Sequence, residues 1–265
     1  MTSCERPEFV AACVAALAAQ SRPPDQVLVA DDGSSPACLA RLRELLRASP
    51  LAPELVTQAD RGFRVAAARN AAARQATGDL LLFLDGDVVL FPDALALHLA
   101  LGRGEAWTTG DVVDLDPQES ARLDPTQLEA LWPGPQDPRR ERLAQGQRSF
   151  TRKAWLARWL PCERHLRRPP LRGGHATVPR AAFEAVNGFD ERYEGWGLED
   201  DDLALRLLLF GVPGRALIEG ARAFHQWHPR EPVPEQGGRP LSQNYAYHKR
   251  RRRGQFRCEA GLQRP

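Results

Sequence analysis

Twice in this chain a short apolar run stops at a pair of carboxylates. Val27–Ala30 runs into Asp31-Asp32-Gly33-Ser34, and Leu80–Leu84 runs into Asp85-Gly86-Asp87. Runs of that length suit strands buried on both faces of a sheet better than helices. Helical periods alternate with them. Phe9, Val10, Cys13, Val14 and Leu17 share one face of a helix over residues 8–20, with Pro7 at its first turn. Ser35-Pro36 opens a second helix bearing Leu39, Leu42, Leu45 and Leu46, and an Ala-rich helix covers Val65–Ala76 after a strand near Glu54–Thr57. The alternation predicts an α/β protein with a mainly parallel central sheet covered by helices. Such a sheet needs a first strand ahead of the first helix. Met1–Cys4 leaves room for a minimal one, unless the start lies upstream.

Composition removes several classes. The 43% hydrophobic and 26% charged residues describe an ordinary globular protein, and a net charge of +2 gives no global preference for nucleic acid or membrane. No apolar run approaches a membrane span, and the N-terminus lacks the order of a signal peptide. Cys4, Cys13, Cys38, Cys162 and Cys258 are odd in number and lack zinc-ligand spacing, which points to free thiols and a cytoplasmic setting.

Residues 115–150 are rich in Pro, Gln, Arg and Asp and read as an extended insertion with short helices, facing an acceptor. A helix over Arg180–Val186 stops at Asn187-Gly188, and short strands are expected near Ala216–Ile218 and Ala221–Phe224. One domain is expected over residues 1–230, with a donor-binding half over 1–112 and a catalytic half over 150–230. A Pro/Gly-rich tail, basic at Lys249–Arg253, follows over 231–265.

Ligands of an open parallel sheet bind beyond the carboxyl ends of its strands, where both acidic turns lie. Hard carboxylate oxygens there suit Mg²⁺ or Mn²⁺ bridging to a diphosphate, although either turn alone could be merely solvated. The stretch NGFDERYEGWGLEDDD, residues 187–202, adds a second kind of chemistry. Trp196 between two glycines offers a flat face on which a sugar ring can pack, and four acidic residues, Glu199 to Asp202, open an apolar helix. An acidic first turn also has a purely structural use, because it favours the helix dipole.

Together, VLVADDGSS, RGFRVAAARNAAARQATGDLLLFLDGD, RGGHATVPRAAFEAVNGFDERYEGWGLEDDD and HQWHP resemble the inverting GT-A-type glycosyltransferases of family two. The C-terminal half looks like the catalytic segment of β-1,4-galactosyltransferases. The resemblance implies the GT-A nucleotide-diphospho-sugar transferase fold, a UDP-sugar donor, and a glycan or lipid-linked glycan acceptor. By the same resemblance, Asp32 would bind the uracil imide and Arg6 and Arg69 would contact the nucleotide. Asp85 would approach the ribose or the metal, and Asp87 would ligate the metal. Gly173 and Gly174 would line the sugar pocket, Trp196 would pack on donor sugar and acceptor, Glu199 would bind sugar hydroxyls, and Asp200 would be the catalytic base. His225 or His228 would complete the metal site, with His225 favoured. The implied donor is UDP-galactose or UDP-N-acetylgalactosamine, with glucose and N-acetylglucosamine open, in bacterial surface polysaccharide or lipopolysaccharide synthesis. Leu198 departs from the pattern, standing where those galactosyltransferases usually have glycine.

Two other classes compete. Lys249–Arg253 with Tyr245, Tyr247 and Phe256 could serve a binder of nucleic acid or anionic surfaces, but that reading leaves the acidic turns unexplained. A nucleotidyltransferase would share the metal carboxylates but gives no reason for Trp196–Asp200. No nucleic-acid partner is expected. Peripheral contact with the inner face of the membrane through 249–253 is.

Overall fold

In the computed structural model, which describes residues 1–157, 159, 168–229, 235–236, 239–240, 243–250 and 254–263, the predicted alternation is present. The chain forms β1 (Thr2–Ser3), α1 (Pro7–Ala18), β2 (Leu28–Asp31), α2 (Pro36–Arg47), β3 (Glu54–Thr57), α3 (Val65–Ala73) and β4 (Leu80–Leu84). Then come β5 (Val88–Leu90), α4 (Ala94–Gly102), β6 (Trp107–Thr109), β7 (Val113–Asp114), α5 (Pro117–Ala121) and α6 (Pro138–Leu156). The second half adds β8 (His175–Pro179), α7 (Arg180–Ala185), α8 (Glu199–Phe210), β9 (Gly214–Ala216), β10 (Ala223–His225) and α9 (Gln243–Arg250).

β1, β2 and β3 pair in parallel. A single parallel bridge, Thr2 to Asp85, joins them to the strands ordered β4-β8-β6-β9. β8 is antiparallel to both neighbours, and β6 and β9 are parallel. Every strand of this central sheet except β8 therefore runs the same way, as the near-continuous apolar runs require. The first strand is indeed minimal, yet it lies in the middle of the sheet. A small second sheet places β10 between antiparallel β5 and parallel β7, which carries His225 to the turn after β4.

The core gathers Phe83, Trp107, Phe183, Phe189, Leu203 and Leu207, each buried. Phe83 meets Phe183 and Phe189 at 5.1 Å between ring centres. α3 is tied to the turn before α8 by Asn70. Its amide donates to the Phe189 carbonyl, and its oxygen accepts from the Phe189 amide. Within α8, Asp202 and Arg206 form a buried ion pair at 2.6 Å, and Arg206 also donates to the Val186 and Gly188 carbonyls. Asp202 is thus a strut of the helix.

Three expectations need correction. The stretch expected as an insertion with short helices contains α6, nineteen residues long. Asp137 caps it by accepting from the Arg139 amide, Pro138 occupies its first turn, and Leu143 and Phe150 bury its inner face. Its charged majority hides those few apolar positions. Short strands expected at 216–218 and 221–224 lie at 214–216 and 223–225. Three-residue strands carry no period to fix them. Finally, residues 254–263 do not trail away from the domain. Asn187 donates to the carbonyls of Cys258 and Gln263 and accepts from the Gln263 amide, while Leu262 packs on the core.

Candidate active site

Arg69 projects from the Ala-rich α3 and is 5% exposed. Burying a guanidinium without carboxylate partners is costly, so its surroundings matter. Nη2 donates to Asp85 at 2.9 Å, and Nη1 donates to Asp200 at 3.0 Å and to Glu199 at 3.4 Å. Its face also covers Phe189 at 5.2 Å. The turn after β4 and the first turn of α8 are therefore joined through one side chain, read from sequence as a nucleotide contact.

Gly173 and Gly174 lie against the same group. The Gly173 amide donates to Asp200 Oδ2 at 2.8 Å, and the Gly174 carbonyl accepts from the Asp85 amide at 3.1 Å. A Cβ on Gly173 would overlap the Asp200 carboxylate, and one on Gly174 would overlap that of Asp85. The paired glycines are required by this close approach.

Burial pushes the Glu199 carboxyl up to about 8, reinforced by the Asp200 charge and opposed by Arg69. Glu199 Oε2 is buried without a partner. Burial also raises Asp200, against the pull of Arg69 and the Gly173 amide. Burial alone would raise Asp85, but Arg69 and the Thr2 hydroxyl bring it below the usual carboxylate range. The three carboxyls of one cluster are thus driven apart, Glu199 and Asp200 upwards and Asp85 downwards.

Two residues beyond Asp85 the character changes. Asp87 Oδ2 faces His228 Nε2 at 3.2 Å and His225 Nε2 at 3.6 Å. Asp87 Oδ1 is buried without a partner. His228 Nδ1 lies 2.9 Å from the Pro229 carbonyl and so carries its proton there. Its Nε2 is then the ring atom turned towards the Asp87 carboxylate, so both offer ligand atoms to one point. His225 Nδ1 lies 3.5 Å from Asp114, the arrangement that orients a ligating imidazole. One carboxylate and two imidazoles with convergent lone pairs fit a divalent cation. Both histidines belong to the group. Asp85 lies outside this convergent set, and its Oδ1 is held by Arg69 and Thr2.

The remaining predicted residues surround these two groups. Arg6, 42% exposed along its side chain, points Nη1 at Asp87 from 3.7 Å. Asp32 is buried, accepting from Gln58 Nε2 at 2.6 Å and from the Arg64 amide at 2.7 Å. No hydrogen bond among the described residues links it to the Arg69 group. Trp196 is 60% exposed, on a loop where Gly195, Gly197 and Leu198 all have positive φ.

Sequence reasoning missed the supports of this site. Asn244 in α9 donates to the carbonyls of Trp196 and Gly197, and the Gly195 amide donates to the Phe63 carbonyl. No local motif marks Asn244. It was also silent on the buried pair His98 and His175, whose Nε2 atoms lie 3.1 Å apart. His175 Nδ1 faces the Asp111 carbonyl, so it is the donor. Its Nε2 then accepts from His98, whose Nδ1 accepts from Thr108. Burial holds both rings neutral, with His175 lowered to about 4. This chain anchors β8 directly after Gly173-Gly174. Lys249 and Arg250 end α9, while 251–253 lie outside the described residues.

Comparison with known proteins fits this geometry. The profile described as glycosyl transferase family 2 matches residues 1–147, and that described as the N-terminal domain of galactosyltransferase matches 158–233. A validoxylamine A glucosyltransferase of Streptomyces hygroscopicus subsp. limoneus is 31% identical over 217 residues, 74% of this chain. The match spans only 44% of that relative's length. The mannosyltransferase PcManGT of Pyrobaculum calidifontis, in complex with GDP-Man and Mn²⁺, superposes with a TM-score of 0.59 and 20% identity, covering 95% of this chain and 63% of that one. S. aureus TarS 1-349 in complex with UDP-GlcNAc gives 0.54 and 16%, covering 87% and 58%. These likenesses show a shared fold with GT-A glycosyltransferases.

Proposed function

Because this chain belongs to glycosyl transferase family 2, whose profile covers more than half of it, we propose that it transfers a sugar from a UDP-sugar to a glycan acceptor with inversion at the anomeric carbon. The reading rests on one juxtaposition. A carboxylate group held together by Arg69 stands two residues from a carboxylate–imidazole group that leaves a buried carboxylate oxygen unpartnered. The first suits proton transfer, and the second suits the cation that accompanies a diphosphate.

Asp200 is the base. As the acceptor oxygen attacks C1, its proton passes to the Asp200 carboxylate, and the bond from C1 to the diphosphate oxygen breaks, releasing UDP. Arg69 and the Gly173 amide fix the orientation of Asp200. Its burial keeps it more basic than an exposed aspartate. Glu199, protonated, donates to a sugar hydroxyl, and Trp196 supplies the face on which donor sugar and acceptor stack. Asp87, His225 and His228 hold the divalent ion, Mn²⁺ in preference to Mg²⁺ because two of the three donors are imidazoles. When bound, that ion neutralises the diphosphate. Arg6, 3.7 Å from Asp87, pairs with phosphate oxygens once Asp87 is engaged. Asp32 recognises the uracil.

The match of residues 158–233 to a galactosyltransferase domain favours galactose or N-acetylgalactosamine as the donor sugar. A bacterial surface polysaccharide or lipopolysaccharide is the proposed product. The test is transfer and hydrolysis with a panel of UDP-sugars with and without Mn²⁺, followed by NMR of the product's anomeric proton. A product that retains the donor's configuration sinks the mechanism, and activity indifferent to EDTA sinks the metal site.

A further inference from the structure

α6 has two faces of opposite character. Its inner face holds Leu143, Gly146, Gln147 and Phe150. Phe150 packs edge-on to Trp107 at 5.6 Å, and Gln147 exchanges hydrogen bonds with Ala216 and Ile218. At about 100° per residue, Arg148, Arg152 and Trp155 fall together on the opposite side. Trp159 lies just beyond the end of the helix, its amide donating to the Leu156 carbonyl. Trp155 is 60% and Trp159 75% exposed, the two most exposed tryptophans with Trp196.

Two exposed indoles four residues apart form a patch rather than a singly exposed apolar side chain. The surroundings give its chemistry. α6 carries six cationic residues and one acidic one. Arg148 pairs with Glu141, while Arg152 and Lys153 have no acidic partner among the described residues. Indoles beside arginines on the solvent face of a clamped helix fit the headgroup level of an anionic bilayer. There an amphipathic ring sits between water and acyl chains, and each cation gains from the surface potential. No helix among the described residues is long and apolar enough to cross a membrane, so the contact lies on the surface.

We propose that the Arg148–Trp159 face of α6 docks the protein on anionic membranes. The proposal stands independently of the donor and mechanism assigned above. It assigns the contact to residues other than 249–253.

The test is co-sedimentation of the full chain with phosphatidylcholine vesicles, with and without phosphatidylglycerol, at low and raised salt. The wild type should partition onto the anionic vesicles and be released by salt. Replacing both Trp155→Ala and Trp159→Ala should lower partitioning at least about tenfold. Arg148→Gln and Arg152→Gln should each lower it about fivefold. Brominated acyl chains should quench wild-type fluorescence and leave that of the double-tryptophan variant unchanged. Unaltered circular dichroism and metal-dependent UDP binding establish that the variants are folded. The proposal is overturned by full binding of the tryptophan variant, by equal binding to vesicles lacking phosphatidylglycerol, or by loss of binding only when Lys249 and Arg250 are replaced. Retention by immobilised glycan that depends on Trp155 and Trp159, without vesicle binding, would overturn it in favour of a carbohydrate-docking face.

Discussion

The turn after β4 faces two environments at once, and they are built on opposite principles. On one side Asp85 joins Glu199 and Asp200 around Arg69, with contacts of 2.9–3.4 Å, although Arg69 Nε and Glu199 Oε2 stay buried without a partner. On the other, Asp87 meets two imidazoles and Arg6 at 3.2–3.7 Å and leaves a buried oxygen unpartnered. The first group holds its guanidinium counter-charge at hydrogen-bonding distance. The second keeps Arg6 at 3.7 Å and is left unfinished, with three ligand atoms turned towards one point. On the proposed function, proton transfer and cation binding fall to neighbouring residues of one turn.

The contrast breaks most sharply at Asp200. Asp200→Asn keeps the shape and much of the hydrogen bonding but cannot take a proton. Transfer should fall by roughly 10²–10⁴-fold, while calorimetry finds metal-dependent UDP binding near wild type. Loss of UDP binding in this variant would mean that the two groups are not separable.

Arg69→Met should act on folding as well as on transfer. It strands Glu199 and Asp200 in a buried site, and breaking a buried charge group in this way costs about 3–5 kcal/mol. Urea denaturation would measure the loss. A variant as stable as wild type would show that the carboxyls neutralise themselves without the guanidinium.

Acid should expose a third support. His175 is lowered from its ordinary 6.5 to about 4, so the unfolded chain takes up a proton first. Its contribution is complete above pH ~6.5 and is lost as the pH falls towards ~4, about 3 kcal/mol in all. Glu199 has the opposite slope. Raised to about 8, it favours the fold below its ordinary 4.5, and that gain is lost as the pH rises towards 8. Denaturation midpoints across this range should show His175→Gln flattening the acid limb and Glu199→Gln flattening the alkaline one.

The smallest effect belongs to the unfinished side. Asp87→Ala should leave stability nearly unchanged, because no satisfied network is broken. It should remove the metal enhancement of UDP binding, about 10–100-fold by analogy with weakened metal sites. Equal UDP affinity in wild type and variant, with Mn²⁺ or with EDTA, would erase the distinction between the two groups.

How far this could be read from sequence follows from the same physics. The strands before Asp31 and Asp85 were legible because unbroken apolar runs end at acidic, glycine-containing turns. The partnership of Asp87 with His225 and His228 was legible only through family resemblance, since no local spacing connects residues so far apart. The role of Arg69 was obscured by its setting. An arginine among alanines reveals burial but not which three carboxylates surround it. Asn244 was invisible, because buried amides that support a loop carry no pattern. α6 was missed because the period of its inner face is sparse beneath abundant charge.

The two-residue β1 has a further consequence, for the order of folding. It lies between β2 and β4, yet Thr2 pairs with Ala30 and, 83 residues away, donates its hydroxyl to Asp85. Closing so long a loop for so few hydrogen bonds is entropically unrewarding until both flanking pieces already exist. The middle of the sheet is therefore among the last parts to be laid down. Asp85 takes its orientation from that closure, so a refolding chain acquires a correctly aimed Asp85 only as the sheet becomes continuous. Recovery of donor binding should track this late step and lag behind recovery of helix content.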